Sequence, residues 1–464
     1  MRSSRLRRHD NARVSSHGVQ TFAILGGVSV NPAARRRPRA HDGRTKAEVA
    51  VFAATEDLLK ESSLQDITVA QIIARAGVSR ANFYHYFASK YDVLIAMLSR
   101  FLEETYSEGP WQAELGKSRA RAMDATLRRT IEMWSEHGAV ICAAIEHMHS
   151  EPALAAAWNS TLEKFVSAIA EQITYERTNG NAPEGFPADT IGAVLVCALQ
   201  RTFYVGTRGL DPRLPGPESA VDSIIELVFA AIYGTQRPKS RLRRRPRAQR
   251  VKAASQSPVP SVTSQDESPS KEGDPGTASV ILEATKALLA ETSLDDLSVA
   301  KILERSGISR ATFYFYFGSK EAAFIALFQE IAVSIADGFS ALAAMDRSKP
   351  AKAGALVQNW LDLDPGSLAV VRNAIHEWPR RPELRDVYLG TIATMADALE
   401  SAIETDRASG LALEGPPAGE LAAVLVWTIE RSYAGSLAGE KHLEDAPTVA
   451  AMLGNLLVAT IYGR

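Results

Sequence analysis

Cysteine is almost missing from this sequence: 464 residues contain only Cys142 and Cys197. Two thiols cannot form a disulfide framework, and neither sits in a Cys/His spacing that would bind a metal. Alternating β-branched runs long enough for a sheet are also lacking, so an all-α fold is expected. The basic N-terminus is followed by an apolar stretch, Thr21–Val30, of only about ten residues, too short to cross a bilayer, and no clear small-residue cleavage site follows it, as a signal peptide would require. No nucleophile–base pair or phosphate-binding loop stands out, which leaves an enzymatic reading without a carrier. Nor is there an excess of charge of one sign: the formal net charge is −2. A polyanion senses the distribution of charge more than its mean, and here the distribution is uneven.

What the chain does have is a repeat. Ile67–Leu94, ITVAQIIARAGVSRANFYHYFASKYDVL, returns as Leu297–Phe324, LSVAKILERSGISRATFYFYFGSKEAAF. Thr68, with Gln71 three residues on, is placed to cap a short amphipathic helix that has Val69, Ile72 and Ile73 on one face. Gly77 permits a tight positive-φ turn. Ser79 then caps a second short helix in which Phe83 and Phe87 share a face, while Arg80, Asn82, Tyr84 and His85 lie on others. Ser89 and Asp92 open a longer helix by the same capping logic. Two short helices joined by a glycine turn, with polar residues on the first turn of the second, read as a DNA-binding helix-turn-helix. An earlier helix, from about Arg44 to Glu61, is expected to pack behind them through Val49, Phe52, Ala53 and Leu59.

The run Thr68, Gly77-Val78-Ser79, Phe83-Tyr84, Phe87 and Lys90 resembles the signature of the tetracycline-repressor (TetR) family of transcription regulators, and Gly307-Ile308-Ser309, Phe313-Tyr314, Phe317 and Lys320 repeat it. The duplication extends past these motifs. Ser63 matches Ser293, an offset of 230 residues that also aligns Arg201 with Arg431 and Val194-Leu-Val196 with Val424-Leu-Val426. The resemblance therefore implies two tandem TetR-like units over roughly 44–235 and 277–464. Each would have a three-helix DNA-binding domain (44–104 and 277–334, with helix-turn-helices near 67–86 and 297–316) and a helical ligand-binding and dimerisation bundle (105–235 and 335–464). Residues 1–43 read as a disordered basic extension, or as the product of a start codon placed too early, and 236–276 as a basic then Ser/Pro-rich disordered linker.

Carried over by resemblance, Thr68, Tyr84 and Lys90 would contact phosphates, while Ser79, Arg80, Asn82 and His85 face base edges. Ser298, Ser309, Arg310, Thr312, Tyr314, Phe315 and Lys320 stand in these places in the second unit. Arginine pairs with guanine and asparagine with adenine, whereas a threonine methyl or a Phe ring favours thymine methyls. Two unequal half-sites of double-stranded operator DNA follow. The family's small-molecule pocket suggests Trp134, Cys142, Met148, Trp158, Trp360 and Trp378 as candidate linings for an unknown effector, although aromatic and Met side chains at helical spacing also serve as plain core. No cofactor or metal is called for. The apolar segments Pro187–Tyr233 and Pro417–Tyr462 resemble the family's four-helix dimer interface, and a duplicated chain can close it on itself as a pseudo-dimer, a homodimer being the rival. The expected protein is a cytoplasmic, nucleoid-associated repressor relieved by a ligand, with no role for a membrane. The competing readings are a non-specific architectural DNA binder and an enzyme using the bundle pocket.

The stretch Arg237–Lys252 holds many cations and no anion. If it contacts phosphates, neutralising Arg241, Arg243, Arg244, Arg245 and Arg247 lowers the slope of log K against log salt by about 0.9 per contact. A titration of DNA binding against salt checks this, and an unchanged slope makes the segment a solvated tether.

Overall fold

The computed structural model describes residues 45–108, 119–148, 150–234, 275–344, 355 and 363–463. The N-terminal extension, the linker except its last two residues, and Trp360 lie outside them. Among the described residues there are sixteen helices and no strand. The first repeat contributes α1 (Lys46–Glu61), α2 (Val69–Ala76), α3 (Arg80–Tyr86), α4 (Lys90–Glu108), α5 (Arg119–His147), α6 (Pro152–Thr178), α7 (Ala188–Arg208) and α8 (Val221–Tyr233). The second contributes α9 (Pro275–Leu289), α10 (Val299–Ser306), α11 (Arg310–Tyr316), α12 (Lys320–Ala344), α13 (Pro365–Glu377), α14 (Pro382–Ala408), α15 (Ala418–Leu437) and α16 (Ala446–Tyr462). The duplication is thus visible helix by helix.

Local chemistry explains the short elements. Thr68 and Gln71 form a reciprocal capping box at the start of α2, and Gly77 ends that helix at φ 64°. Gly307 does the same for α10 at φ 69°, a conformation that costs a residue with a Cβ about 1–2 kcal/mol. The Ser79 and Ser309 side chains accept from the backbone N–H three residues on and start α3 and α11. In α1 the buried stripe is Val51, Ala54, Thr55, Leu58 and Leu59. The expected stripe was rotated from this one: Val49 and Ala53 are exposed, and of the expected set only Leu59 is fully buried.

In each bundle the long helices pack on one another: α4, α5 and α6 with α7 in the first repeat, and α12, α14 and α15 in the second. The 20-residue stretch Lys320–Phe339 of α12 has the length and mean hydropathy (1.5) of a bilayer span. Its apolar side chains Phe324, Phe328 and Phe339 are instead buried in the protein. Heads and bundles are fastened differently in the two repeats. His137 of α5 meets Glu56 of α1 at 3.1 Å in the first. In the second, Lys286, which aligns with Glu56, holds Asp364 at 3.1 Å, and Arg381 reaches Asp295 at 2.7 Å.

The two repeats meet through α7, α8, α15 and α16. These helices are buried nearly all round, as their continuous apolar sequences require. Within the first repeat α7 is also close to α6: a Cβ at Gly192 would lie 2.9 Å from the Val166 carbonyl oxygen. A half-buried carboxyl lies at the edge of this contact: Ser223 Oγ of α8 donates to Glu420 Oε1 of α15 at 2.6 Å. Burial pushes the Glu420 carboxyl from its ordinary 4.5 up to about 7. The protonated form is then favoured in the folded chain, so stability falls as pH rises from about 4.5 through about 7 and changes no further from this group above that. Glu420→Gln should raise the melting temperature at pH 8 and change it little at pH 5, which thermal unfolding at the two pH values measures.

Candidate nucleic-acid interface

The outward face of α3 is set by what its inward face buries. Phe83 and Phe87 are each 1% exposed; Phe87 packs on Phe52 of α1 at a ring-centroid distance of 5.8 Å, and Phe83 packs on Phe87 at 5.7 Å. Arg75 of α2 joins Glu61 at the end of α1 through two hydrogen bonds of 2.9 and 3.0 Å, and Arg305 joins Glu291 at 2.8 Å in the second repeat. With α3 held from behind, Ser79, Arg80, Asn82, Tyr84 and His85 are all exposed. The Arg80 guanidinium lies 5.6 Å from the centre of the Tyr84 ring, a cation–π contact that holds the arginine over the surface it would read with.

The second head repeats this arrangement with altered chemistry. Phe313 is buried, Ser309, Arg310 and Tyr314 are exposed, and Thr312 is half-buried. Ser309 Oγ and Thr312 Oγ1 lie 2.7 Å apart, so the hydroxyl that replaces the Asn82 amide is tied to the helix cap. Phe315, in place of His85, is 44% exposed. An aromatic ring left in water on a reading helix suits an apolar contact such as a thymine methyl. Thr68 is exposed and Ser298 half-buried, and both cap their helices: Thr68 Oγ1 donates to Gln71 Oε1 at 2.8 Å, and Ser298 Oγ accepts from Lys301 N at 3.3 Å.

Lys90 and Lys320 have partners other than the expected phosphates. Lys90 Nζ donates to the carbonyl oxygens of Leu64, Gln65 and Ile67 at 2.6, 3.3 and 2.9 Å. Lys320 Nζ donates to those of Leu294, Asp295 and Leu297 at 2.8, 3.1 and 2.7 Å. An ammonium group has three donors, and here all three close the loop ahead of α2 or α10. Burial lowers the Lys90 pKa from its ordinary value.

The expected pocket residues are dispersed. Trp134, Cys142, Met148 and Trp158 are buried in the first bundle, with Trp134 against Phe203. Burial pushes the Cys142 thiol up to about 12, and both cysteines are free. Trp378 belongs to the contact between repeats, edge-on to Tyr204 of the first repeat at 6.2 Å, and within its own repeat it is stacked on Tyr388 at 5.1 Å and tilted against Trp427 at 6.1 Å. A cavity of about 270 Å³ lies elsewhere, between Leu294, Glu321 and Phe324 on the head side and Arg380–Leu384 on the bundle side of the second repeat. Sequence reasoning missed the buried polar residues of the joint, Gln200-Arg201 and Glu430-Arg431. Their signal was a polar-Arg pair in the middle of an apolar helix, at the same position in both repeats.

The pattern described as bacterial regulatory proteins of the tetR family matches residues 51–97 and again 281–327. That of the C-terminal domain of the transcriptional regulator EthR matches 123–234 and 365–463. The HTH-type transcriptional regulator EthR of Mycolicibacterium smegmatis is 30% identical over 205 residues, covering 43% of this chain and 93% of that protein. The chain belongs to the TetR family. EthR of Mycobacterium tuberculosis (strain ATCC 25618 / H37Rv) is 29% identical over 209 residues, 44% of this chain and 94% of EthR. Among solved structures, Salmonella enterica GusR aligns with 40% of this chain and 98% of its own at 23% identity, with a TM-score of 0.31. This TetR-family member is a helix-turn-helix, DNA-binding transcriptional regulator that carries the family's two-domain unit twice.

Because the lysines close loops, Lys90→Met should lower the melting temperature by the cost of three unpaired carbonyls, about 1–3 kcal/mol for each one that water cannot reach. The salt slope of DNA binding should stay unchanged. A lysine bound to phosphate would give the reverse: little change in melting and a slope lower by about 0.9.

Proposed function

We propose that the chain is a two-headed repressor in which one polypeptide does the work of a TetR-family dimer. Its two bundles, taken as 105–235 and 335–464, form a pseudo-dimer, and its heads, taken as 44–104 and 277–334, read two unequal half-sites in cytoplasmic, nucleoid DNA. The observation that carries this reading is the pair of exposed but unlike helices, Arg80/Asn82/His85 and Arg310/Thr312/Phe315, on one folded unit. Tyr84, 46% exposed, and Tyr314, 50% exposed, are the phosphate contacts that fix register, with Thr68 and Ser298 beside them. Release by a small molecule fits the cavity between head and bundle of the second repeat, since a ligand lodged there would change the angle between the two.

A gel shift on the intergenic DNA beside the protein's own gene, with competitor DNA, tests the reading and separates it from non-specific architectural binding. Arg80→Ala and Arg310→Ala should each weaken specific binding by about 1–3 kcal/mol and relax selectivity in one half-site only. Tyr84→Phe should weaken all sequences alike. If both arginine variants bind as tightly and as selectively as the parent, the assignment of the reading helices fails.

A further inference from the structure

The joint between the repeats has two buried arginines at equivalent positions, Arg201 and Arg431, each 5% exposed. They are neutralised differently. Arg201 Nη2 donates to Glu430 Oε1 at 3.0 Å, and its Nε lies 2.7 Å from Glu430 Oε2, across the repeat boundary. The guanidinium also lies 5.7–5.8 Å from the ring centres of Tyr204, Trp378 and Trp427. Arg431 Nε crosses the boundary the other way and donates to Gln200 Oε1 at 3.1 Å. Gln200 is the counterpart of Glu430 and carries no charge, and Arg431 takes its carboxylate from Glu440 of its own repeat, at 3.0 and 3.1 Å. Two guanidiniums thus meet two carboxylates.

The ends of the joint are keyed in the same way. Arg213 of the first repeat binds Asp397 and Glu400 on α14. Lys441 and His442 of the second both reach Glu163 on α6, at 2.6 and 3.0 Å. Trp427 Nε1 donates to Asp211 Oδ2 at 3.1 Å.

Pairing like with like unbalances these charges. Two first repeats would bury two copies of Arg201 facing Gln200; Asp211, which stands where Glu440 does (Asp-Pro-Arg-Leu against Glu-Lys-His-Leu), is already held by Arg213, so two carboxylates would serve four guanidiniums. Arg213 would face Ser167 and Ala170. Two second repeats would gather four carboxylates, Glu430 and the half-buried Glu440 twice, around two guanidiniums, and Lys441 would face Ala393. An uncompensated buried charge is among the most destabilising features an interface can hold, and building such misfits against wrong partners is how interfaces discriminate.

We propose that this joint is a charge key that accepts only a first repeat against a second repeat, so that the face recognises the other half of its own chain and rejects the like half of a second copy. The inference rests on the pseudo-dimer just proposed. The tether adds to it, because joining the halves through about forty residues of chain keeps them at an effective concentration near millimolar, so closure within one chain precedes exchange between chains.

The test uses the full chain with a protease site placed in the Ser/Pro-rich stretch after Lys252. The protein is purified intact, cut, dissociated in mild urea, returned to buffer at micromolar concentration and weighed by native mass spectrometry. Unlike pairs alone are expected, with like pairs at least tenfold below the 1:2:1 statistical mixture. A statistical mixture overturns the proposal. Two variants then test charge as the cause. Glu430→Gln removes the partner of Arg201 and relieves the second–second pair, and Gln200→Glu supplies a carboxylate to the first–first pair. Each should raise its like pair at least tenfold over the parent, and if neither does, charge is not the key. Operator binding by the uncut parent, measured alongside, reports separately on the two-headed reading, which stands if the halves scramble while the uncut chain still binds.

Discussion

Arg201 and Arg431 set the terms for the rest of the molecule. A guanidinium keeps its charge at any pH the protein meets, and burying one in an apolar four-helix joint is tolerable only with a carboxylate at hand. The joint satisfies that requirement once across the boundary, through Glu430, and once within a repeat, through Glu440. Tyr388 adds a hydroxyl to Glu430 at 2.6 Å, and three aromatic rings lie around Arg201, so the charged pair is enclosed from several sides. With the bundles fixed on each other, each head is positioned from its own bundle, and the two reading helices become parts of one object.

Much of this was legible in the sequence because the helix-turn-helix is a local structure. Thr68, Gln71, Gly77 and Ser79 act within four residues of themselves, so the residue types already imply the caps and the turn, and the phenylalanine spacing gives the inward face of α3. The loop-closing contacts of Lys90 were not legible. The resemblance implied a phosphate contact for it, and only the folded loop brings three carbonyls from 23–26 residues earlier within reach of its ammonium. The rotated stripe of α1 has a related cause. Val49 and Phe52 obey helical spacing, but α1 packs against α2, α3, α4 and α5 and buries the face that those neighbours select.

Trp378 was misplaced for a third reason. Aromatic content marks a residue as interior without saying which interior, and a core, a pocket and a joint between repeats are alike in composition. The two fastenings of head to bundle were beyond periodicity as well, because Glu56 and Lys286 align in sequence yet carry opposite charges and meet different partners, His137 and Asp364.

The differences between α3 and α11 also have a genetic meaning. In a homodimeric regulator each codon of the reading helix is expressed in both heads, so a substitution alters both half-sites at once, and the operator must change at two places to follow it. Here Asn82 and Thr312, or His85 and Phe315, are separate codons. On the two-headed reading proposed above, one head could be retuned while the other keeps the protein on its DNA, so the sequence read would be free to drift one half at a time and need not remain a palindrome.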